Sequence, residues 1–299
     1  MSTYVAYVEV QSDPTLWERI RSRRSRKKGK SLAAAYGVLV AAGVVLAYLL
    51  SLAGFLPADP DAMDLGAMNQ LPSARHLLGT DFVGRDLLAR AMVGTQAFFL
   101  PGLLSVFVSL LFGTLFGVLA GFWPERFATP VGLFLQLMES LPKLVLVLLV
   151  IALFRPDIYL VLLVVGVTNI PSTAELLRAK IASLKRKSYI EAALALGVHP
   201  ARVIGKHILW LHGRGVLLVQ ATVGMGEAIL IETSLSYLGF GVQEPTPSWG
   251  NMVALGKDYF FRGELWVSTA PAIPILLTVL GFYLLGDALR EPIAEERAS

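Results

Sequence analysis

Apolar positions dominate this chain in long runs rather than in alternation. Four stretches carry no charge: Leu32 to Leu56, Ala97 to Trp123, Ile158 to Ala174 and Leu265 to Gly286. Two more are apolar but interrupted. Phe127 to Phe154 holds Glu139 and Lys143, and Gly215 to Leu238 holds Glu227 and Glu232. A membrane helix needs about 20 mainly apolar residues, so the pattern predicts six spans. Strand-like alternation is absent, which argues against a β-barrel. Helices satisfy their own backbone groups in lipid, and the predicted class is an all-α integral membrane protein. The first apolar run is longer than the roughly 7–15 residues of a secretory signal. It reads as an uncleaved helix.

Composition agrees. Of the 299 residues 55% are hydrophobic and only 16% charged, with a mean hydropathy of +0.63. That is too little charge to coat a water-soluble globule of this size, and too little polarity for a disordered chain. There is no Cys, which excludes disulfide frameworks, thiolate metal sites and Cys nucleophiles.

Lys and Arg set the expected orientation. Residues 1–30 carry eight, and residues 175–214 carry another eight. With six spans, one side collects 19 and the other 6, with Lys143 inside a span. Both termini and the 175–214 loop are therefore expected in the cytoplasm. The expected organisation is a basic arm over 1–30, a six-helix membrane domain over 31–291 and a tail over 292–299. External loops cover 57–96 and 239–264. The arm is explained by topology and anionic membrane lipid, so no nucleic-acid partner is inferred. Trp249 and Tyr259 suit headgroup depth. Gly113, Gly117 and Gly121 share one helix face, which permits close backbone approach inside the chain or at a subunit interface.

The most informative polar stretch is Ser183–Leu211. Tyr189 to Leu196 reads as a short Ala- and Leu-rich helix, Gly197 as its positive-φ stop and Pro200 as the start of a second helix. Ala192 and Ala193 leave a low-relief surface for a partner protein.

These residues resemble the EAA loop of ABC-importer permeases: Glu191, Ala192, Ala193, Gly197 and Ile208 match, while Leu209-Trp210 stands where Leu-Pro is usual. Three further motifs resemble the dipeptide/oligopeptide/nickel group. They are His76 to Asp86, Ser234 to Gly241 with Pro247-Ser248-Trp249-Gly250, and Leu285 to Arg290. The resemblance spans roughly residues 30–291 and is to the second permease of the pair, with Gln136 and Lys143 departing from the usual residues. It implies a type I ABC importer-like permease that works with a second permease, two ATPases and an external binding protein. It further implies that Tyr189, Glu191, Ala192, Ala193 and Gly197 couple to the ATPases. Gly79, Thr80, Asp81, Gly84, Arg85 and Asp86 would form an ordered external loop or dock the binding protein.

The chain has no P-loop. Gly205-Lys206 and Gly256-Lys257 are followed by His207 and Asp258, and the positions five before each Gly are Pro200 and Asn251. ATP and Mg would be held by the partner ATPases, and no cofactor or metal by this chain. Intramembrane ionisable groups are functional candidates. Gln136, Glu139, Lys143, Glu227 and Glu232 are assigned to the translocation path or a subunit contact. Two alternatives stand beside that: Glu139 and Lys143 could neutralise each other as an i,i+4 pair, and one of Glu227 and Glu232 could be protonated by burial. Asn169 before Ile170-Pro171 reads as a kink, and His76 as structural. With no His–Met cluster in a span, the expected cargo is peptide, ahead of nickel, an antimicrobial peptide or another solute. An ion-coupled transporter would show internal repeats. An intramembrane enzyme would show H-E-x-x-H or G-x-S-x-G, and neither motif occurs.

Overall fold

The computed structural model describes residues 16–154 and 157–295. The first half of the expected basic arm and the last four residues of the expected tail lie outside that range. The described elements are helices, joined by one isolated bridge between Thr80 and Asp86. They run α1 (Leu16–Leu52), α2 (Leu87–Gly94), α3 (Phe99–Phe122), α4 (Glu125–Glu139), α5 (Lys143–Leu153), α6 (Ile158–Thr168) and α7 (Ile170–Lys185). Then follow α8 (Ser188–Ala195), α9 (Pro200–Arg202), a π-helical stretch (Val203–Gly213), α10 (Arg214–Tyr237), α11 (Trp249–Phe260) and α12 (Trp266–Glu295).

Five helical segments are long and apolar enough to cross a membrane: Ser31–Leu52, Leu87–Phe122, Ile158–Lys185, Pro200–Tyr237 and Trp266–Arg290. A bent helix pair makes a sixth candidate, as a broken span or a re-entrant loop. Ala128–Glu139 and Lys143–Leu153 meet at 73°. Pro142 supplies the cause, because it lacks an N–H and forces Leu141 away from helical dihedrals. Several spans extend beyond their uncharged cores. Large apolar side chains such as Leu39, Leu137 and Leu276 are about 70% exposed, a surface that only lipid satisfies at this scale.

The bundle is centred on α3, whose broadest interface is with α7. Gly113, Gly117 and Gly121 make that approach. A Cβ on each would stand 2.5 Å from Thr173 Cβ, 2.8 Å from the Ala174 carbonyl oxygen and 2.9 Å from Ile181 Cβ. The glycine face is thus occupied within the chain. At the other end of α3, Phe98 tilts against Trp249 with ring centroids 4.7 Å apart. Trp249 is buried and donates its indole N–H to the Ala91 carbonyl at 2.8 Å. It serves as a core anchor between the two long loops. Tyr259 stacks on Phe82 at 5.2 Å.

Candidate functional site

Three polar assemblies stand out from the apolar bundle. The first is the elbow between α7 and α10. Helix α8 ends at Ala195 with Leu196 as its cap, and Gly197 takes φ +79°. The Gly197 N–H bonds the Leu194 carbonyl at 3.0 Å and the Val198 N–H bonds the Ala193 carbonyl at 3.1 Å. This is a Schellman stop, and it needs a residue that tolerates left-handed backbone. Pro200 starts the next helix, where its missing N–H costs nothing. Ile190 is fully buried with Leu177, Ile181, Val203 and Ile208, which fixes α8 to both limbs of the elbow. The Tyr189 hydroxyl meets His212 Nε2 at 2.8 Å. Tyr189, Glu191, Ala192 and Gly197 are exposed, and Ala193 is half-buried against the anchor cluster. The result is a firmly seated short helix with one open, low-relief face.

The second assembly clamps the two long loops. Asp86 caps α2 through the Ala89 N–H at 2.8 Å and bonds His76 Nδ1 at 2.8 Å. Asp81 accepts the Val83 and Arg85 N–H groups, each at 2.9 Å, and pairs with Arg85 Nε at 2.6 Å. Glu244, 159 residues further on, then bridges two guanidiniums. It accepts from Arg85 at 2.8 Å and from Arg90 at 2.7 Å. Burial works against the Arg85 charge, but its bonds to Asp81 and Glu244 outweigh that and raise its pKa. Thr80 donates to the Ala67 carbonyl. Gly79 and Gly84 have φ +71° and +83°, and a Cβ on Gly84 would lie 1.8 Å from the Asp64 carbonyl oxygen. The charged groups of this motif therefore point inward. Arg90 and Glu244 complete the clamp and were not among the residues singled out from sequence. An Arg opening an otherwise apolar helix was the available signal.

The third assembly lies at mid-span. Lys143, the first residue of α5, donates to Glu227 Oε1 at 2.7 Å and to Asn169 Oδ1. Asn169 Nδ2 closes the ring on Glu227 Oε2 at 2.9 Å. The ring lines a cavity of about 250 Å³ together with Ser105, Ser109, Ser172, Thr173, Gln220 and Tyr283.

One sequence expectation is corrected here. Glu139 and Lys143 do not form an i,i+4 pair, because the 73° bend at Pro142 places them on different helices. Glu139 and Gln136 sit exposed on α4 and do not line the cavity. Glu232 is not in the lining of this cavity either. It is fully buried, and Ser236 Oγ donates to it at 2.7 Å while accepting the Val242 N–H at 3.0 Å. It pins the chain where it turns out of α10. Asn169 does interrupt the helix between α6 and α7, and it is also a member of the ring.

Residues 109–294 match the family described as binding-protein-dependent transport system inner membrane component. They hold the elbow, the whole ring and the second half of the clamp. The chain belongs to this family. It is 38% identical to a di/tripeptide transport system permease protein of Pseudomonas aeruginosa, over 74% of this chain and 72% of that one. It is 31% identical to an oligopeptide transport system permease protein of Haemophilus influenzae, over 93% and 88%. It is 32% identical to a glutathione transport system permease protein of Pectobacterium atrosepticum, over 86% of each. A permease of this family is a multi-pass inner-membrane component and a non-catalytic subunit of an ABC importer. Such permeases bind no cofactor of their own and act with a partner permease, ATPases and a binding protein. Among the described residues no group of three His, Asp or Glu side chains could hold a metal ion.

Proposed function

We propose that this permease forms half of a peptide translocation path, paired with a second, different permease and driven by two ATPases bound at the elbow. Tyr189, Glu191, Ala192, Ala193 and Gly197 carry the coupling surface in the cytoplasm, where both termini also lie. ATP and Mg reside in the ATPases. The 57–96 and 239–264 loops face the opposite side and dock the binding protein through their outer surface.

The observation that carries this reading is mechanical. The two limbs leaving the elbow are α7 and the continuous helix Pro200–Tyr237. One begins beside Asn169 and the other carries Glu227, so each limb holds one side of the Asn169–Glu227 bond. The sixteen residues of α7 span about 24 Å at 1.5 Å per residue. A push on α8 is transmitted by Ile190 into both limbs and changes the cavity wall at their far ends. Energy from ATP enters only as a difference in stability between two such arrangements.

The test is uptake of a labelled tripeptide into proteoliposomes. Uptake is expected to require ATP, both permeases, the ATPases and the binding protein. Gly197→Pro removes the left-handed stop and is expected to abolish ATP-driven uptake, at least tenfold, while ATPase activity and membrane insertion persist. Uptake by this chain alone, or full uptake by the Gly197→Pro transporter, would overturn the coupling assignment. Uptake of another solute with peptides excluded would overturn the cargo.

A further inference from the structure

Resting on the peptide reading above, we propose that the Lys143–Glu227 ring is an exchange site for the two charged ends of a zwitterionic peptide. Lys143 takes the cargo carboxylate, Glu227 takes the cargo ammonium, and Asn169, which bonds both side chains, keeps a polar partner on each as they part.

The site is built from three parts of the bundle. Lys143 comes from the start of α5, Asn169 from the break between α6 and α7, and Glu227 from the middle of α10. All three line the mid-span cavity, whose other walls carry the hydroxyls of Ser105, Ser109 and Thr173. Access to the cation separates this pair from the clamp, whose Glu244 is 33% exposed but whose guanidiniums are not. The Lys143 and Glu227 side chains are 39% and 25% exposed, whereas the Arg85 and Arg90 guanidinium side chains are 5% and 1% exposed. The Lys143–Glu227 pair opens onto polar space.

The charge count fits a zwitterion. A lone cation in the wall would favour anionic cargo, and a lone carboxylate would favour cations. A matched pair carries no net charge and favours cargo that is also neutral overall but charged at both ends. On entry, one ammonium–carboxylate contact within the wall is exchanged for two between wall and cargo. Neither wall charge is left bare at any stage, which matters because an unpaired charge at membrane depth is costly. The reading uses side chains only, so it is indifferent to cargo sequence between the ends.

The complete lack of Cys allows a clean test. Ser172 lines the cavity and is exposed to it. In the assembled transporter without binding protein, Ser172→Cys is labelled with a maleimide in the presence of trialanine, N-acetyl-trialanine or trialanine amide. Trialanine is expected to protect best. Lys143→Gln is expected to raise the half-protecting concentration about tenfold for the two peptides with a free carboxylate and to leave the amide unchanged. Glu227→Gln is expected to do the same for the two peptides with a free ammonium and to leave the acetylated one unchanged. Lys143→Arg and Glu227→Asp, which keep the charges, report on any loss of assembly and are expected to retain end discrimination. Equal shifts for all three peptides would overturn the proposal and leave a structural pin. Absence of protection in a transporter that still takes up trialanine would also overturn it and leave the peptide reading intact. Absence of ATP-driven trialanine uptake would instead overturn the peptide reading itself.

Discussion

The loop clamp and the mid-span ring use the same chemistry to opposite ends. Both join segments distant in sequence through a carboxylate that accepts from two donors. In the clamp, Glu244 bridges Arg85 and Arg90, Asp81 adds a second carboxylate, and both guanidiniums are sealed. In the ring, one amine, one carboxamide and one carboxylate satisfy each other and face a cavity. Redundancy and burial make a fixture. Minimal pairing and access make a site that can change partners. Ion-pair distance does not distinguish the two, since Arg90–Glu244 and Lys143–Glu227 are both 2.7 Å.

The comparison breaks first at Arg90. Arg90→Leu removes one donor from Glu244 and one side of the loop contact, and a broken buried pair costs about 3 kcal/mol or more. The expected outcome is loss of assembled transporter in detergent extracts and a lowered unfolding temperature. An unchanged unfolding temperature would show that the clamp is not a fixture. Lys143→Gln is expected to cost less, about 1 kcal/mol, because its pair is partly exposed. Thermal unfolding should shift only slightly while transport falls, and a stability loss as large as that of Arg90→Leu would erase the distinction. The smallest effect is expected at Ser248. Its side chain accepts the Asn251 N–H at 3.2 Å and Asn251 returns a bond to the Ser248 N–H at 2.9 Å. Ser248→Ala should cost about 1 kcal/mol or less by loss of this cap. Transport should persist, because α11 is also held by Trp249.

What the sequence made legible was local. The apolar runs marked the spans because each must face lipid along its length. Gly197 and Pro200 marked the elbow because backbone handedness and a missing N–H act within a few residues. The Gly113–Gly117–Gly121 face was visible as a surface, but its partner α7 was not. The ring was not legible, because Lys143 and Glu227 are 84 residues apart. The nearer candidate, Glu139, has the right spacing for a helix that Pro142 does not allow to continue. Glu232 looked like Glu227 in sequence, since both are lone carboxylates in an apolar run. Their surroundings differ because Ser236 and the returning chain at Val242 bury one, while Lys143 and Asn169 meet the other. Asn169 showed as a helix interruption, and its second role depended on two partners that local pattern does not identify.

The coupling assignment at the elbow is tested most directly by placing one cysteine on it. Ala192 is exposed on α8, and the chain offers no other thiol. Ala192→Cys, in membranes holding the complete transporter, should cross-link to an ATPase subunit with a short bifunctional reagent, and ATP should change the yield. Capture of no ATPase by a transporter that remains active in ATP-driven uptake would contradict the assignment.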